Sequence, residues 1–128
     1  MKIITPSDAE GTGKPGATFT GQFYPYTTVR DEGVAINNVN FTPGARTYWH
    51  HHEAGQILVV LAGRGLVQVE GDDVHSIRMG DTVWSPPGEM HWHGASPDSY
   101  VVHTAISLGT TVWGGEVAES DYTSPPVD

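Results

Sequence analysis

The chain lacks cysteine, clustered positive charge and long hydrophobic runs, and each absence excludes a class of protein. With no cysteine in 128 residues, no disulfide can form and the redox compartment stays open. Six Lys and Arg residues stand singly against 15 Asp and Glu, for a net charge of −9, so neither nucleic acid nor an anionic membrane is expected as a partner. The longest apolar stretch, residues 57–62, cannot span a membrane, and the amino-terminal apolar run is too short for a signal peptide. A soluble cytoplasmic protein is expected.

Helical periodicity is also missing, and what replaces it is typical of a β protein. Sixteen Gly and nine Pro residues separate short β-branched and aromatic runs. The length fits one domain, residues 1–128. Roughly eight to ten short strands with frequent turn signals predict an all-β sandwich or barrel. The strands are predicted at residues 17–26, 34–41, 46–52, 57–62, 66–70, 74–77, 82–85, 91–93 and 100–108.

Three segments carry further expectations. Residues 57–62 are continuously apolar between two glycines, which predicts a strand covered on both faces. Residues 1–17 are predicted to form an arm with little regular structure. The acidic tail, residues 109–128, is expected to pack either over the core or onto a second subunit.

Two histidine-rich blocks carry the chemical signal. Side chains alternate along a strand, so His50 and His52 share one face, and His91 and His93 share another. Gln56 follows at a distance that allows it to return an oxygen donor. Neutral imidazole is the commonest protein ligand for transition metals. A surface cluster is the alternative for the first block alone, but the second block favours a metal site.

The spacing of these residues resembles the two motifs of the cupin family. Motif one, residues 44–63, reads Gly44-x5-His50-x-His52-x3-Gln56-x6-Gly63, and motif two, residues 80–95, reads Gly80-x5-Pro86-x-Gly88-x2-His91. The resemblance implies a cupin-type antiparallel β-barrel or jelly-roll sandwich, with a divalent metal held by His50, His52, Gln56 and His91. It also implies a homo-oligomer, dimer or tetramer. Two positions depart from the family pattern, since Gln56 stands where Glu is usual and Ala95 where Asn is usual.

The amide at position 56 has a chemical consequence. Three neutral imidazoles and a neutral amide leave a divalent ion its full +2 charge, which favours Lewis-acid chemistry on anionic oxygen or cyanide. Such a ligand set suits manganese, iron, zinc, nickel or cobalt without selecting one.

Acid–base groups are predicted beside the metal. His93 follows His91 by two residues, and His103 has small neighbours on its face, so both are candidate catalytic residues; the alternative for each is a buried core histidine. Asn37, Val39 and Phe41 share a strand face that is predicted to line the mouth of the pocket. Trp84 is expected in the core or an interface, with a place in the cavity wall as the alternative.

The motifs are similar to those of small single-domain cupins that include metal-dependent hydroxynitrile lyases. That subgroup implies an enzyme that adds cyanide to a small aldehyde or removes it from a cyanohydrin. An iron-dependent dioxygenase, a polyketide cyclase-like cupin and a non-catalytic cupin that binds small molecules are the alternatives. In each case the partner is a small molecule.

Overall fold

Strands dominate the computed structural model, which describes residues 1–5 and 17–128. The all-β prediction is confirmed, whereas most of the arm predicted at residues 1–17 lies outside the described residues. The described helix α1, Glu119–Tyr122, has four residues, and no helix in this part of the chain is long and apolar enough to cross a membrane. The strands are β1 Phe19–Thr20, β2 Phe23–Asp31, β3 Val34–Phe41, β4 Arg46–Thr47, β5 His50–His52, β6 Gln56–Val69, β7 Val74–Arg78, β8 Thr82–Ser85, β9 His91–Ala95, β10 Val101–Leu108 and β11 Thr111–Trp113.

A single long strand, β6, joins two antiparallel halves of the curled sheet. Its first half pairs with β8 and β10, and β10 continues to β3 and β2; these five form the front sheet. Its second half pairs with β7 and β9. Strand β9 continues to β4 and β5, with β1 and β11 beyond; these form the back sheet. This curled antiparallel sheet confirms the predicted cupin-type antiparallel β-barrel or jelly-roll sandwich.

Glycines explain two differences from the predicted strand boundaries. Residues 57–62 and 66–70 were expected as separate strands, but β6 runs through both. Gly63 has a φ of +75°, and a Cβ there would collide with the Tyr100 carbonyl oxygen, so only glycine lets β6 turn from one sheet into the other. Gly21, with a φ of +81°, divides the first predicted strand into β1 and β2.

Two apolar clusters hold the sheets. Between the sheets lie Phe23, Phe41 and Val101 with five other buried residues. The second cluster covers the outer side of the back sheet, where Val117 and Tyr122 of the tail pack on Trp92. Of the two arrangements expected for the tail, the described structure has the one over its own core. Burial of these three large side chains stabilises the fold by several kcal/mol, at roughly 1.5–3 kcal/mol each.

Candidate metal centre and adjoining cavity

Strands β5 and β9 bring the histidines together. They pair with His50 opposite His91, so the inward-facing residues of both strands meet between the sheets. His50, His52, His91 and His93 are all buried, with 1–4% of each residue exposed. The ring of His50 lies 4.4 Å from that of His91 and 5.0 Å from that of His52, measured between centroids. Two-residue alternation in two paired strands thus creates one compact imidazole cluster.

Backbone carbonyls set the tautomers of two of these rings. His50 Nδ1 lies 2.8 Å from the Tyr48 carbonyl oxygen, and His91 Nδ1 lies 2.8 Å from that of Glu89. Because a carbonyl only accepts hydrogen bonds, each Nδ1 carries the proton and donates it. Each Nε2 therefore presents a lone pair, as a metal ligand requires.

The side chains of His52 and Gln56 complete the donor set. The Gln56 amide nitrogen donates to Ser107 Oγ at 3.0 Å, which turns Oε1 toward His91 Nε2 at 3.2 Å. With the His91 proton on Nδ1, both of these atoms are acceptors and no proton lies between them. His52 Nε2 is buried without a hydrogen-bond partner. Converging lone pairs and an orphaned buried nitrogen fit a cation, which would satisfy all of them.

His93 lies as close to the cluster as the predicted ligands do. Ring nitrogens of His50, His91 and His93 lie within 4.8 Å of one another, and these three buried histidines could hold a metal ion. Sequence reasoning placed His93 beside the metal rather than on it. Its Nδ1 contacts His103 Nε2 at 3.1 Å, which leaves one nitrogen for the cavity.

His103 lies behind His93 rather than at the cavity surface. It is fully buried, and Phe41 contacts both rings, with centroids 5.8 Å from His93 and 5.5 Å from His103. His103 is not among the residues that line the cavity. In the described structure it can act on a substrate only through His93.

Burial keeps the whole cluster uncharged. It is the main cause that lowers the pKa of His91, and it lowers the pKa of His52 to about 4, with His91 as the next cause. Burial, and then the charge of His91, puts the pKa of His50 well below its ordinary value. Burial, and then the charge of His103, puts the pKa of His93 well below its ordinary value. Burial lowers the pKa of His103 to about 4. Neutral imidazole is the form that binds metals and accepts protons.

We expect the metal-free protein to lose stability as the pH falls from about 6.5 to about 4. A histidine whose folded pKa is lowered stays neutral in the native state, while the unfolded chain takes up a proton below pH 6.5. For His103, with a pKa near 4, the loss is on the order of 3 kcal/mol. Urea unfolding at several pH values measures it. The pH slope should be shallower in His103→Asn; an unchanged slope would show that His103 is not buried neutral.

A small cavity of about 180 Å³ adjoins the cluster, and His50, His52, Gln56 and His93 are among its lining residues. The predicted lining residues of β3, Asn37, Val39 and Phe41, do line it. Sequence reasoning missed seven further lining residues, which are Phe19, Arg30, Ala35, Thr47, Ser107, Thr111 and Trp113.

Trp113, to which sequence reasoning gave no role, walls the cavity in place of Trp84. Trp113, in the undivided tail of the prediction, lies 4.7 Å from the His50 ring between centroids and lines the cavity. The alternating run Thr111–Trp113 after Gly109 is the signal that would have found this strand. The prediction that Trp84 walls the cavity is wrong, because its side chain is 52% exposed on the outer side of the front sheet. Side-chain alternation in β8 turns its neighbour Val83 inward instead.

The chain has relatives among named proteins. A family model for the cupin domain matches residues 37–106. The chain is 48% identical over 123 residues to an (R)-mandelonitrile lyase from Granulicella tundricola, a match that covers 91% of this chain and 93% of the relative.

Solved structures share the fold. A cupin-like protein from Thermotoga maritima, 40% identical, has a TM-score of 0.84 over 88% of this chain and 92% of its own. The polyketide cyclase RemF from Streptomyces resistomycificus has a TM-score of 0.71 at 17% identity, over 95% of this chain and 90% of its own. At that identity the second likeness shows the fold alone.

Proposed function

The chain belongs to the cupin family, and on that premise we propose that it is a metal-dependent hydroxynitrile lyase, which cleaves a small cyanohydrin into an aldehyde and hydrogen cyanide and catalyses the reverse addition. One observation carries the proposal: a relative named for mandelonitrile cleavage is 48% identical over nine-tenths of both chains. The buried imidazoles beside a small cavity supply the chemistry that this reaction needs.

The proposed metal ligands are His50, His52, Gln56 and His91. The first and last present Nε2 lone pairs because backbone carbonyls hold their Nδ1 protons. Ser107 orients the Gln56 amide so that its oxygen faces His91. When bound, a divalent transition metal ion supplies a Lewis acid that stabilises negative charge developing on oxygen or on cyanide.

The residue proposed as general base is His93. It accepts the hydroxyl proton of the cyanohydrin at Nε2 while the C–O bond becomes C=O and the electron pair of the C–CN bond leaves with cyanide. His93 then returns the proton, and hydrogen cyanide results. For this role the resting proton of His93 must lie on Nδ1, donated to His103 Nε2 at 3.1 Å. His103 is thus a positioning residue that holds the ring and its tautomer.

The shape of the cavity supports a small, partly apolar substrate. Its volume of about 180 Å³ lies below the range of pockets that hold drug-sized ligands. Phe19, Phe41 and Trp113 add aromatic surface to the lining that the imidazoles share. An aryl or alkyl group can pack against these rings while the hydroxyl and nitrile meet the histidines.

The test is cyanide release from mandelonitrile by protein reconstituted separately with manganese, iron, zinc, nickel and cobalt. We expect release with at least one metal, at equal rates in air and under nitrogen, and none from chelator-treated protein. Turnover that stops under nitrogen would replace the lyase with a dioxygenase. Stoichiometric metal without any release, tested across aromatic and aliphatic cyanohydrins, would leave a non-catalytic binding protein.

A further inference from the structure

Arg30 carries the one ionised side chain among the described residues that line the cavity beside the metal centre. The other lining residues are apolar, neutral and polar, or histidines that burial keeps uncharged. A cavity with a basic residue and no acidic one is unexpected in a chain of net charge −9. Such a lining favours a ligand that carries negative charge.

A β-bulge at Thr28 turns the Arg30 side chain toward the cavity. From Phe23 to Thr27 the odd-numbered residues of β2 face inward, and Phe23 is buried in the core. The register with β3 then shifts by one residue, and the Thr28 hydroxyl donates to the Ile36 carbonyl oxygen at 3.2 Å. Without this extra residue, regular alternation would point Arg30 to the outer side of the sheet. Bulges re-aim side chains in this way and are frequent next to active sites.

Strand register places Arg30 in one row with the proposed metal ligand Gln56. Arg30 lies opposite Ala35, and Ala35 lies opposite Ser107. Ser107 in turn lies opposite Gln56, and all four residues line the cavity. Three strand spacings of about 4.8 Å separate the two ends of the row by about 14 Å along the sheet. The short side chains of Ala35 and Ser107 leave room for a ligand between the guanidinium and the metal centre.

Arg30 also differs from the other described basic residues, because it has no acidic partner among the described residues. The other four each form an ion pair, which are Lys2 with Asp31, Arg46 with Glu119, Arg64 with Asp98 and Arg78 with Asp128. Outside the cavity, Arg30 lines a second hollow with Glu53 and Asp31, but neither carboxylate lies within ion-pair distance of it. Its planar guanidinium can therefore offer two parallel hydrogen bonds to a carboxylate.

We propose that Arg30 determines substrate specificity by binding a carboxylate that the aldehyde or cyanohydrin carries at a distance from its reacting carbon. This inference rests on the proposed function and names its substrate class. The length of the row is the reason for the distance, because a carboxylate next to the reacting carbon would lie at the histidine end. A phenyl ring between the two groups packs against the aromatic lining of the cavity. The carboxylate takes no part in breaking the C–CN bond.

Two matched pairs of compounds test the proposal on metal-reconstituted protein. Benzaldehyde and 4-formylbenzoate compare binding by calorimetry, and mandelonitrile and 4-carboxymandelonitrile compare cyanide release. We expect the wild type to prefer the carboxylated compound of each pair by about tenfold, in Kd and in kcat/KM, because a hydrogen-bonded ion pair distinguishes them. The preference should decrease at high salt, since Arg30 is exposed at the mouth of the cavity.

Three variants assign the preference to one side chain. Arg30→Gln keeps a polar side chain without the charge, and the ratio between the paired compounds should fall to about one. Arg30→Lys keeps the charge without the planar fork, and it should keep part of the preference. Arg64→Gln is the matched control, because Arg64 is another exposed arginine that lies outside this cavity, and it should keep the wild-type ratio and rate.

Three results would overturn the proposal. The first is a wild type without preference for either carboxylated compound. The second is a preference that Arg30→Gln leaves intact, which would place the carboxylate on the metal instead. The third is an equal loss of preference in Arg64→Gln, which would assign it to the charge of the whole surface. If no metal form releases cyanide from either cyanohydrin, the lyase proposal fails, and the two Kd values still decide whether Arg30 binds a carboxylate.

Discussion

The His91→Ala variant is expected to bind no stoichiometric metal and to cleave mandelonitrile at least about 10³-fold more slowly than the wild type. His91 Nε2 lies 3.2 Å from the Gln56 oxygen, and the His91 ring lies 4.4 Å from that of His50 between centroids, so the substitution removes one nitrogen from the donor set. The three proposed ligands that remain should bind a divalent ion too weakly to retain it, and the Lewis acid that the reaction needs is lost. Metal content by elemental analysis and the rate of cyanide release measure the two effects on the same sample.

A matched control separates this effect from general damage. His75 is an exposed histidine of β7 that belongs to neither motif, and His75→Ala should keep full metal and full rate. His50→Ala and His52→Ala should behave like His91→Ala. Full metal content in any one of these three variants would contradict the proposed ligand assignment for that residue.

Replacing His93 by alanine should separate the proton transfer from metal binding. We expect the His93→Ala variant to keep its metal and to turn over about 10²–10⁴-fold more slowly, because the general base is lost while the four ligands stay in place. The effect should lie in kcat rather than in KM, since a base acts on the transition state rather than on binding of the substrate. Steady-state kinetics on metal-quantified protein measures both.

His51→Ala is the control for this experiment. His51 sits between two proposed ligands in β5, but its side chain points to the other face and is partly exposed, so metal and rate should be retained. Loss of the metal from His93→Ala would instead make His93 a ligand, as its distance from His50 and His91 permits. An unchanged rate with full metal would remove His93 from the mechanism altogether.

Much of the fold was predictable because it depends on local patterns. β3 and β8 have the predicted boundaries, since turn residues bracket each of them. Predicted strand boundaries were wrong where backbone hydrogen bonds to distant parts of the chain decide where a strand ends. The predicted strand at residues 46–52 is interrupted at Tyr48 and Trp49, whose amides donate to the carbonyl oxygens of Thr18 and Gly115 instead of to a neighbouring ladder. No local signal in residues 46–52 specifies partners that far away.

The candidate site, too, was predictable where it depends on local patterns and not where it depends on contacts between distant segments. Strand alternation places His50 with His52 and His91 with His93, and the motif spacing adds Gln56, so the composition of the cluster was readable from the sequence. The sequence did not show which ring nitrogen of His50 and His91 is free, because that depends on two backbone carbonyls. It also did not show that His103 lies behind His93, because that depends on the pairing of β10 with β3 and β6.

By itself, the amino-acid order determined that the chain forms short strands and that imidazoles face inward on two of them, because periodicity and spacing are properties of consecutive residues. Only the tertiary structure decided which tryptophan walls the cavity and where the tail packs. Those outcomes depend on how two sheets curl around a bend in β6, and contacts between distant segments have no signature in local sequence.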